Sequence, residues 1–228
     1  MPTDGIKVYS YTPFTLIDYP DRPAAIVWLA GCNMRCPYCH NPDIVFGKNG
    51  LDFSVVSSFL QKRKKVLEGV VISGGEPTLH PDLEKICIRI KKMGYKIKLD
   101  TNGTGVHVVE NLASKGLIDY VAVDIKASPT KYAAVSGKDT FTETIETIKT
   151  AMKYDLDIEA RTTLHSSLLN LGDIKEIIAR LESIGYTGRY YLQNFVDAPK
   201  KLDRLPDNNI YEKPIVEASF FVGYRNFG

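Results

Sequence analysis

Apolar runs of strand length alternate with segments of helical period along most of this chain, and that alternation restricts the fold more than any other feature. Six runs rich in Val, Ile, Leu and Tyr can be read: Ala24 to Leu29, Val70 to Ser73, Tyr95 to Leu99, Tyr120 to Ile125, Ile158 to Thr163 and Tyr190 to Phe195. Most are continuously apolar, the pattern of strands buried on both faces. Between them Phe53, Val56, Phe59, Leu60 and Leu67, then Leu83, Ile86, Ile90 and Met93, recur at helical spacing. Pro81 suits the first turn of the second helix and Gly94 its stop. Thr140 and Glu143 read as a capping box, and Asn170 as the cap of the helix carrying Leu171, Ile174, Ile178 and Leu181.

Strands that alternate with helices form right-handed βαβ units and a parallel sheet. Six strands are fewer than the eight of a closed barrel, and 228 residues is short for that fold. The expected fold is therefore α/β, a partial (β/α)6 barrel of parallel strands, with a doubly wound sheet as the alternative. A single domain over residues 1–228 is expected, its core at about residues 24–195. Residues 196–228 form a C-terminal extension that covers the barrel or contacts a partner, and its aromatic residues Phe220, Phe221, Tyr224 and Phe227 read as such a cover.

A hydrophobic fraction of 44% with 25% charged residues excludes disorder and disulfide mini-scaffolds. The formal charge of +2 is too small for a nucleic-acid footprint, and Lys62-Arg63-Lys64-Lys65 reads as a solvated helix face. The first residues lack the apolar core of a signal peptide and no run is long enough to span a membrane, so a cytoplasmic location is expected. In that compartment thiols stay reduced, and clustered cysteines bind metal or do redox chemistry.

Three of the four cysteines, Cys32, Cys36 and Cys39, fall within eight residues directly after the first strand. Several chemistries compete for this C-x3-C-x2-C loop. Cys36-Pro37-Tyr38-Cys39 looks like a dithiol redox motif, which needs neither Cys32 nor so long a chain after it. Cys36 to His40 spells the haem-attachment pattern, which normally accompanies export. A zinc site with His40 lacks a second cysteine pair, and the adjacent ligands Cys39 and His40 would strain a tetrahedron. Three thiolates on one tight loop suit three irons of a [4Fe-4S] cube and leave the fourth open. Cys87 shares a helical face with Leu83, Ile86 and Ile90 and reads as core, while His80 suits a helix cap and His107 and His165 show no metal spacing.

A second motif, Ser73-Gly74-Gly75-Glu76-Pro77, follows the second strand. Its glycines allow close backbone approach to a ligand, and Glu76 with nearby carbonyls can accept hydrogen bonds from a cationic amine. Polar groups close the later strands: Asp100, Thr101 and Asn102, then Asp124 and Lys126, Arg161 and Thr163, Gln193 and Asn194. On a parallel barrel these C-terminal ends converge on one rim, where active sites are built.

With its cysteine loop, the aromatic Tyr38 before the last cysteine and the Gly74-Gly75-Glu76-Pro77 element, the sequence resembles the radical S-adenosylmethionine (SAM) superfamily. The resemblance implies that Cys32, Cys36 and Cys39 ligate the cluster and that SAM chelates the remaining iron. One electron from the cluster would cleave SAM to methionine and a 5′-deoxyadenosyl radical. Tyr38, Gly74, Gly75, Glu76, Pro77, Asp100, Asn102, Asp124, Lys126 and Arg161 are the implied cofactor-binding residues. Lys126 would neutralise the SAM carboxylate, Arg161 would reach the ribose or carboxylate side, and the two aspartates are also implied as holders of a monovalent cation.

Cys39-His40-Asn41-Pro42 resembles the glycyl radical enzyme activases. Thr15 to Arg22, Arg161-Thr162-Thr163 and Gln193-Asn194-Phe195 look most like the activating proteins of anaerobic (class III) ribonucleoside-triphosphate reductase. The resemblance runs from about Val8 to Phe195, and implies as partners the reductase large subunit, whose glycine loses a hydrogen, and a flavodoxin- or ferredoxin-type electron donor, with no nucleic acid and no membrane. An activase of pyruvate formate-lyase and a small-molecule enzyme such as 7-carboxy-7-deazaguanine synthase remain as alternatives.

Overall fold

The computed structural model describes residues 5–197, 199–209 and 212–227. In chain order the elements are β1 (Lys7–Val8), β2 (Ser10–Thr15), β3 (Ala24–Leu29), α1 (Pro42–Val45), β4 (Leu51–Asp52), α2 (Phe53–Arg63), β5 (Gly69–Gly74), α3 (Leu83–Lys92), β6 (Lys96–Thr101) and α4 (Val106–Ser114). Then follow β7 (Tyr120–Asp124), α5 (Tyr132–Ser136), α6 (Phe141–Lys153), β8 (Asp157–Leu164), α7 (Leu171–Ser183), β9 (Arg189–Asn194) and β10 (Phe221–Arg225). The six strands read from the sequence are β3, β5, β6, β7, β8 and β9.

The chain divides into two compact units, Met1–Asn33 with Asp43–Thr101 and His107–Val121, and Met34–Pro42 with Asn102–Val106 and Ala122–Gly228. In the first unit the strand order is β6-β5-β3-β2. β3 runs parallel to β5 from Ala24↔Gly69 to Leu29↔Gly74, and β5 parallel to β6. β2 lies antiparallel on β3 with a register shift between Thr12 and Thr15, and β1 pairs with β4 in a separate two-stranded ladder. Val27, Val70, Val71, Ile72, Ile97 and Leu99 are fully buried, as are Phe53, Val56 and Leu60 of α2 and Ile86, Cys87 and Ile90 of α3. The sequence Lys62 to Lys65 is exposed, as a solvated face should be.

In the second unit the order is β10-β9-β8. β8 runs parallel to β9 from Glu159↔Arg189 to Leu164↔Asn194. Within each unit the parallel strands follow chain order without the reversal that marks a doubly wound sheet.

Three local expectations need correction. Pro81 lies before the N-cap, Asp82, and not in the first turn of α3; the His80 ring Nδ1 accepts the Asp82 N–H at 3.1 Å and sets the helix start one residue later. Thr140 caps α6 without its side chain: at φ −132° and ψ 25° its backbone is not extended as a capping side chain requires, and Thr140 Oγ1 is buried and unpartnered while its carbonyl takes the Thr144 N–H (3.0 Å) and the Thr144 hydroxyl (2.9 Å). The C-terminal aromatic segment, read without a strand, contains one: Phe221–Arg225 is strand β10, parallel to β9, which would otherwise end this order as a bare edge. Phe220 packs edge-on to Tyr186 and Tyr190, with ring centroids 5.2 and 6.3 Å apart.

Asn170 caps α7 as expected, and the cap is reciprocal: Asn170 Oδ1 accepts from the Asp173 N–H, and Asp173 Oδ2 from the Asn170 N–H. Replacing Asn170 by Ala is expected to cost about 1 kcal/mol, read as a lower urea midpoint at unchanged slope. Thr140→Val, which keeps the shape and removes an unsatisfied hydroxyl, is expected to leave the midpoint unchanged or raise it.

Candidate functional site

The cysteine loop leaves the C-terminal end of β3, and the backbone of its first residues finds partners within the first unit. In the first unit the Ala30 N–H donates to Asn49 Oδ1 at 2.8 Å and the Gly31 N–H to the Ile44 carbonyl at 2.9 Å. Gly31 has φ +95°, and its carbonyl accepts the Glu76 N–H at 2.8 Å. Gly74 and Gly75, at and just past the end of β5, lie against this turn. A Cβ on Gly74, whose φ is +140°, would collide with the Leu29 backbone, and one on Gly75 with the Gly31 carbonyl. The same atom on Gly75 would come within 3.1 Å of Cys32 Cβ. The sequence accounts for these glycines by approach to a ligand; in the structure they also allow backbone to pack on the cysteine loop.

Glu76 is buried and orders its own turn: Oε1 accepts the Thr78 N–H (3.0 Å), the Thr78 hydroxyl (2.6 Å) and the Thr101 hydroxyl (2.7 Å), which ties the motif to the end of β6. Pro77 starts the short 3₁₀ turn Pro77–Leu79 that Glu76 caps. Asp100 on β6 accepts from Lys98 Nζ at 2.6 Å, and Lys98, 2% exposed, lies 5.7 Å from the Tyr120 ring.

The second unit holds the rest of the loop. The Arg35 N–H donates to the Ser136 carbonyl at 2.7 Å, and Cys39 N–H closes a turn on the Cys36 carbonyl at 3.0 Å. Residues from the C-terminal extension grip the loop too, with the Leu202 N–H on the Cys39 carbonyl (3.1 Å) and the Asp203 N–H on the Pro37 carbonyl (3.2 Å). Phe195 packs on both His40 and His165, at 5.2 and 5.0 Å between centroids. Asn102 Oδ1 accepts from the Thr104 N–H and hydroxyl, and its carbonyl from Thr144 Oγ1, so α6 fixes the loop after β6. All four cysteines are free thiols. Cys87 is buried in α3, and burial first of all pushes its thiol up to about 12. That keeps it an inert core residue. Among the described residues no three His, Cys, Asp or Glu side chains gather as tightly as a single metal ion requires; a cube spreads its thiolates over separate irons.

Charge in this unit centres on Asp124. Its Oδ1 accepts from Arg161 Nε at 2.7 Å and its Oδ2 from Lys126 Nζ at 2.9 Å. Burial opposes ionisation of Asp124, yet Arg161 and Lys126 hold it far below the usual carboxylate range. Burial likewise works against the Lys126 ammonium, but Asp124 first, then Tyr38 and Cys36, raise its pKa well above the ordinary value. Tyr38 is buried with an unpartnered hydroxyl, and burial, reinforced by Cys36, pushes its phenol well up. Neither aspartate lacks a cation: Asp100 has Lys98, and Asp124 has Lys126 and Arg161.

The second unit thus contains Cys36, Tyr38, Cys39, Asn102, Asp124, Lys126 and Arg161, and the first Cys32, Gly74, Gly75, Glu76, Pro77 and Asp100. Sequence reasoning missed Lys98, Glu159 and Arg225, the last two joined at 2.9 Å. The available signal was a charged residue inside an apolar strand run, true of Lys98 and Glu159. Because the Asp124 carboxyl is held low in the fold, its contribution to stability is present above the unfolded carboxylate pKa of about 3.9 and is lost as pH falls through the lower folded value. Asp124→Asn should therefore lower the denaturation midpoint at pH 7, and the gap from wild type should close progressively below about pH 4.

Residues 26–188 match the Radical SAM superfamily. A Methanocaldococcus jannaschii protein that bears the name of a glycyl-radical enzyme activating enzyme is 37% identical over 168 residues, covering 71% of this chain and 69% of that one. The pyruvate formate-lyase-activating enzyme of Clostridium pasteurianum is 29% identical and covers 78% of both chains. Among solved structures, Streptococcus suis SuiB bound to S-adenosylmethionine shares the fold at a TM-score of 0.66 and 14% identity, over 86% of this chain. The chain spans 48% of the length of SuiB. With the C-x3-C-x2-C loop pinned at the end of β3 and the match covering well over half its length, the chain belongs to the radical SAM superfamily, whose enzymes use a [4Fe-4S] cluster and SAM.

Proposed function

We propose that this chain activates a glycyl radical enzyme, and within that class the anaerobic ribonucleoside-triphosphate reductase. The observation that carries the chemistry is the three-cysteine loop with the Gly74-Gly75-Glu76-Pro77 turn packed against its start. Cys39-His40-Asn41-Pro42 and the similarity to the named activating enzymes support the activase class. Thr15 to Arg22 and Gln193-Asn194-Phe195 support the choice of reductase.

The residues present fit the cofactors. Cys32, Cys36 and Cys39 offer three cysteine sulfurs outside any disulfide, on a backbone restrained by hydrogen bonds at Gly31, Arg35, Pro37 and Cys39. Each would ligate one iron, leaving the fourth for the amino and carboxylate groups of SAM. When bound, the cluster supplies one electron that splits SAM into methionine and a 5′-deoxyadenosyl radical, which takes the α-hydrogen of a glycine on the partner.

The chain's own part is to bind, orient and exclude water. Gly74 to Pro77 present backbone carbonyls to the SAM amine, with Glu76 holding their turn in place. Lys126 meets the SAM carboxylate, and Arg161 its ribose or carboxylate side, by charge-assisted hydrogen bonds. Asp100 and Asn102 serve the amino-acid end, and Asp124 aims Lys126 and Arg161 by accepting from each. Tyr38 fills space beside the loop and shields it from solvent. Charge balance at neither aspartate calls for a monovalent cation. The electron comes from a flavodoxin- or ferredoxin-type donor.

Anaerobic reconstitution should give about four irons per chain and, with dithionite, 5′-deoxyadenosine from SAM. Cys32→Ala, Cys36→Ala and Cys39→Ala should each abolish both, while Cys87→Ala keeps both. A colourless protein with one tight zinc and no SAM cleavage would overturn the reading. Mixed with an anaerobic ribonucleotide reductase, the reduced enzyme should produce a glycyl radical signal by electron paramagnetic resonance. A signal only with pyruvate formate-lyase would reassign the partner and leave the chemistry standing.

A further inference from the structure

β8 carries Glu159 and Arg161 two residues apart, so both side chains project from the same face of the strand. Glu159 is 1% exposed, a carboxylate buried in the middle of the second unit. Such a group is tolerated only where cations compensate it. Arg225, near the end of β10, supplies one: its Nη2 lies 2.9 Å from Glu159 Oε2 and its Nη1 3.4 Å from Oε1. The Arg225 guanidinium also stacks on Tyr191 of β9, with Cζ 3.7 Å from the ring centroid, which fixes the plane of the fork. Arg161 Nη1 stands farther from Glu159 Oε1, at 3.6 Å, while Arg161 Nε donates to Asp124 at 2.7 Å. The result is a charge row that runs Lys126, Asp124, Arg161, Glu159, Arg225, from the end of β7 to the last strand.

We infer that Arg225 and Glu159 are a positioning pair for Arg161, which makes β10 a working part of the site. Glu159 sits between two guanidiniums, and Arg225 claims it. Without Arg225, the buried carboxylate loses its 2.9 Å partner and pulls harder on Arg161, whose Nη1 already stands 3.6 Å away, and that pull competes with Asp124 and with any anionic group Arg161 is to hold. The inference rests on the proposed role of Arg161 in SAM binding, and deepens it by assigning the C-terminal strand a task.

The competition gives the test its form. SAM affinity is measured by equilibrium dialysis on the reconstituted full chain without reductant, so that no turnover intervenes. Arg225→Ala should weaken SAM binding by about tenfold, and Glu159→Gln combined with Arg225→Ala should restore it to within about threefold of wild type, because the competing carboxylate is gone. Arg225→Gln, which retains a planar group over Tyr191, serves if Arg225→Ala does not fold. In the apo-protein, the Arg161 Nε–H proton resonance, assigned with Arg161→Lys, should move upfield in Arg225→Ala as its bond to Asp124 loosens, and return in the double variant.

Equal SAM affinity in wild type and Arg225→Ala with an unmoved Arg161 resonance would overturn the inference. So would equal losses in the single and double variants, which is what a purely structural role for β10 predicts. Failure of wild type and Arg161→Ala to differ in SAM affinity would instead remove the role of Arg161 on which the pair depends, and the resonance would still report whether Arg225 aims it.

Discussion

A loop that carries three cysteines within eight residues has no helix or sheet of its own to satisfy its backbone, and the rest of the structure answers that constraint. Buried N–H and C=O groups without partners are costly, so a loop of this kind stays put only where other segments supply donors and acceptors. Here Ile44, Asn49, Glu76 and Ser136 do so, and the backbone of Leu202 and Asp203 closes on the last part of the loop. The Gly74-Gly75 pair belongs to the same answer. Its lack of side chains lets one backbone lie against another, and any Cβ there would push the cysteine loop away.

Electrostatics in the second unit follow a similar logic of mutual support. No charge along the row from Lys126 to Arg225 is carried alone, and Asp124 binds one cation on each oxygen. Removing one member leaves a neighbour uncompensated in a partly dry setting, where the penalty exceeds the gain of the pair itself. For the proposed grip on the amino-acid end of SAM, cations held in fixed directions serve better than flexible ones on the surface.

Most of the architecture was legible in the sequence because it depends on periodicity. Continuous apolar runs marked six strands to within two residues, and the cysteine spacing pointed to its chemistry without help from tertiary structure. What escaped depended on long-range partners. β10 is short and contains Gly223, so its strand character comes from pairing with β9, not from its own pattern. Thr140 and Glu143 have the residue types of a capping box, but the Thr140 backbone is not extended as a capping side chain requires. Pro81 lies one residue before the N-cap Asp82, whose N–H bonds to the His80 ring, a contact that residue types alone do not display. The polar groups Asp100, Asp124 and Arg161 were visible, whereas Lys98, the partner of Asp100, Glu159, the partner of Arg161, and Arg225, which pairs with Glu159, were hidden among apolar neighbours or beyond the recognisable core.

The central claim is that three cysteines of one loop leave a single iron of a [4Fe-4S] cluster for SAM. Mössbauer spectroscopy of the chain reconstituted with ⁵⁷Fe, recorded with and without SAM, reads this directly. The account predicts that one iron in four changes its isomer shift and quadrupole splitting when SAM binds, while the other three stay as they were. A spectrum indifferent to SAM, or a preparation that takes up zinc in place of iron, would contradict it.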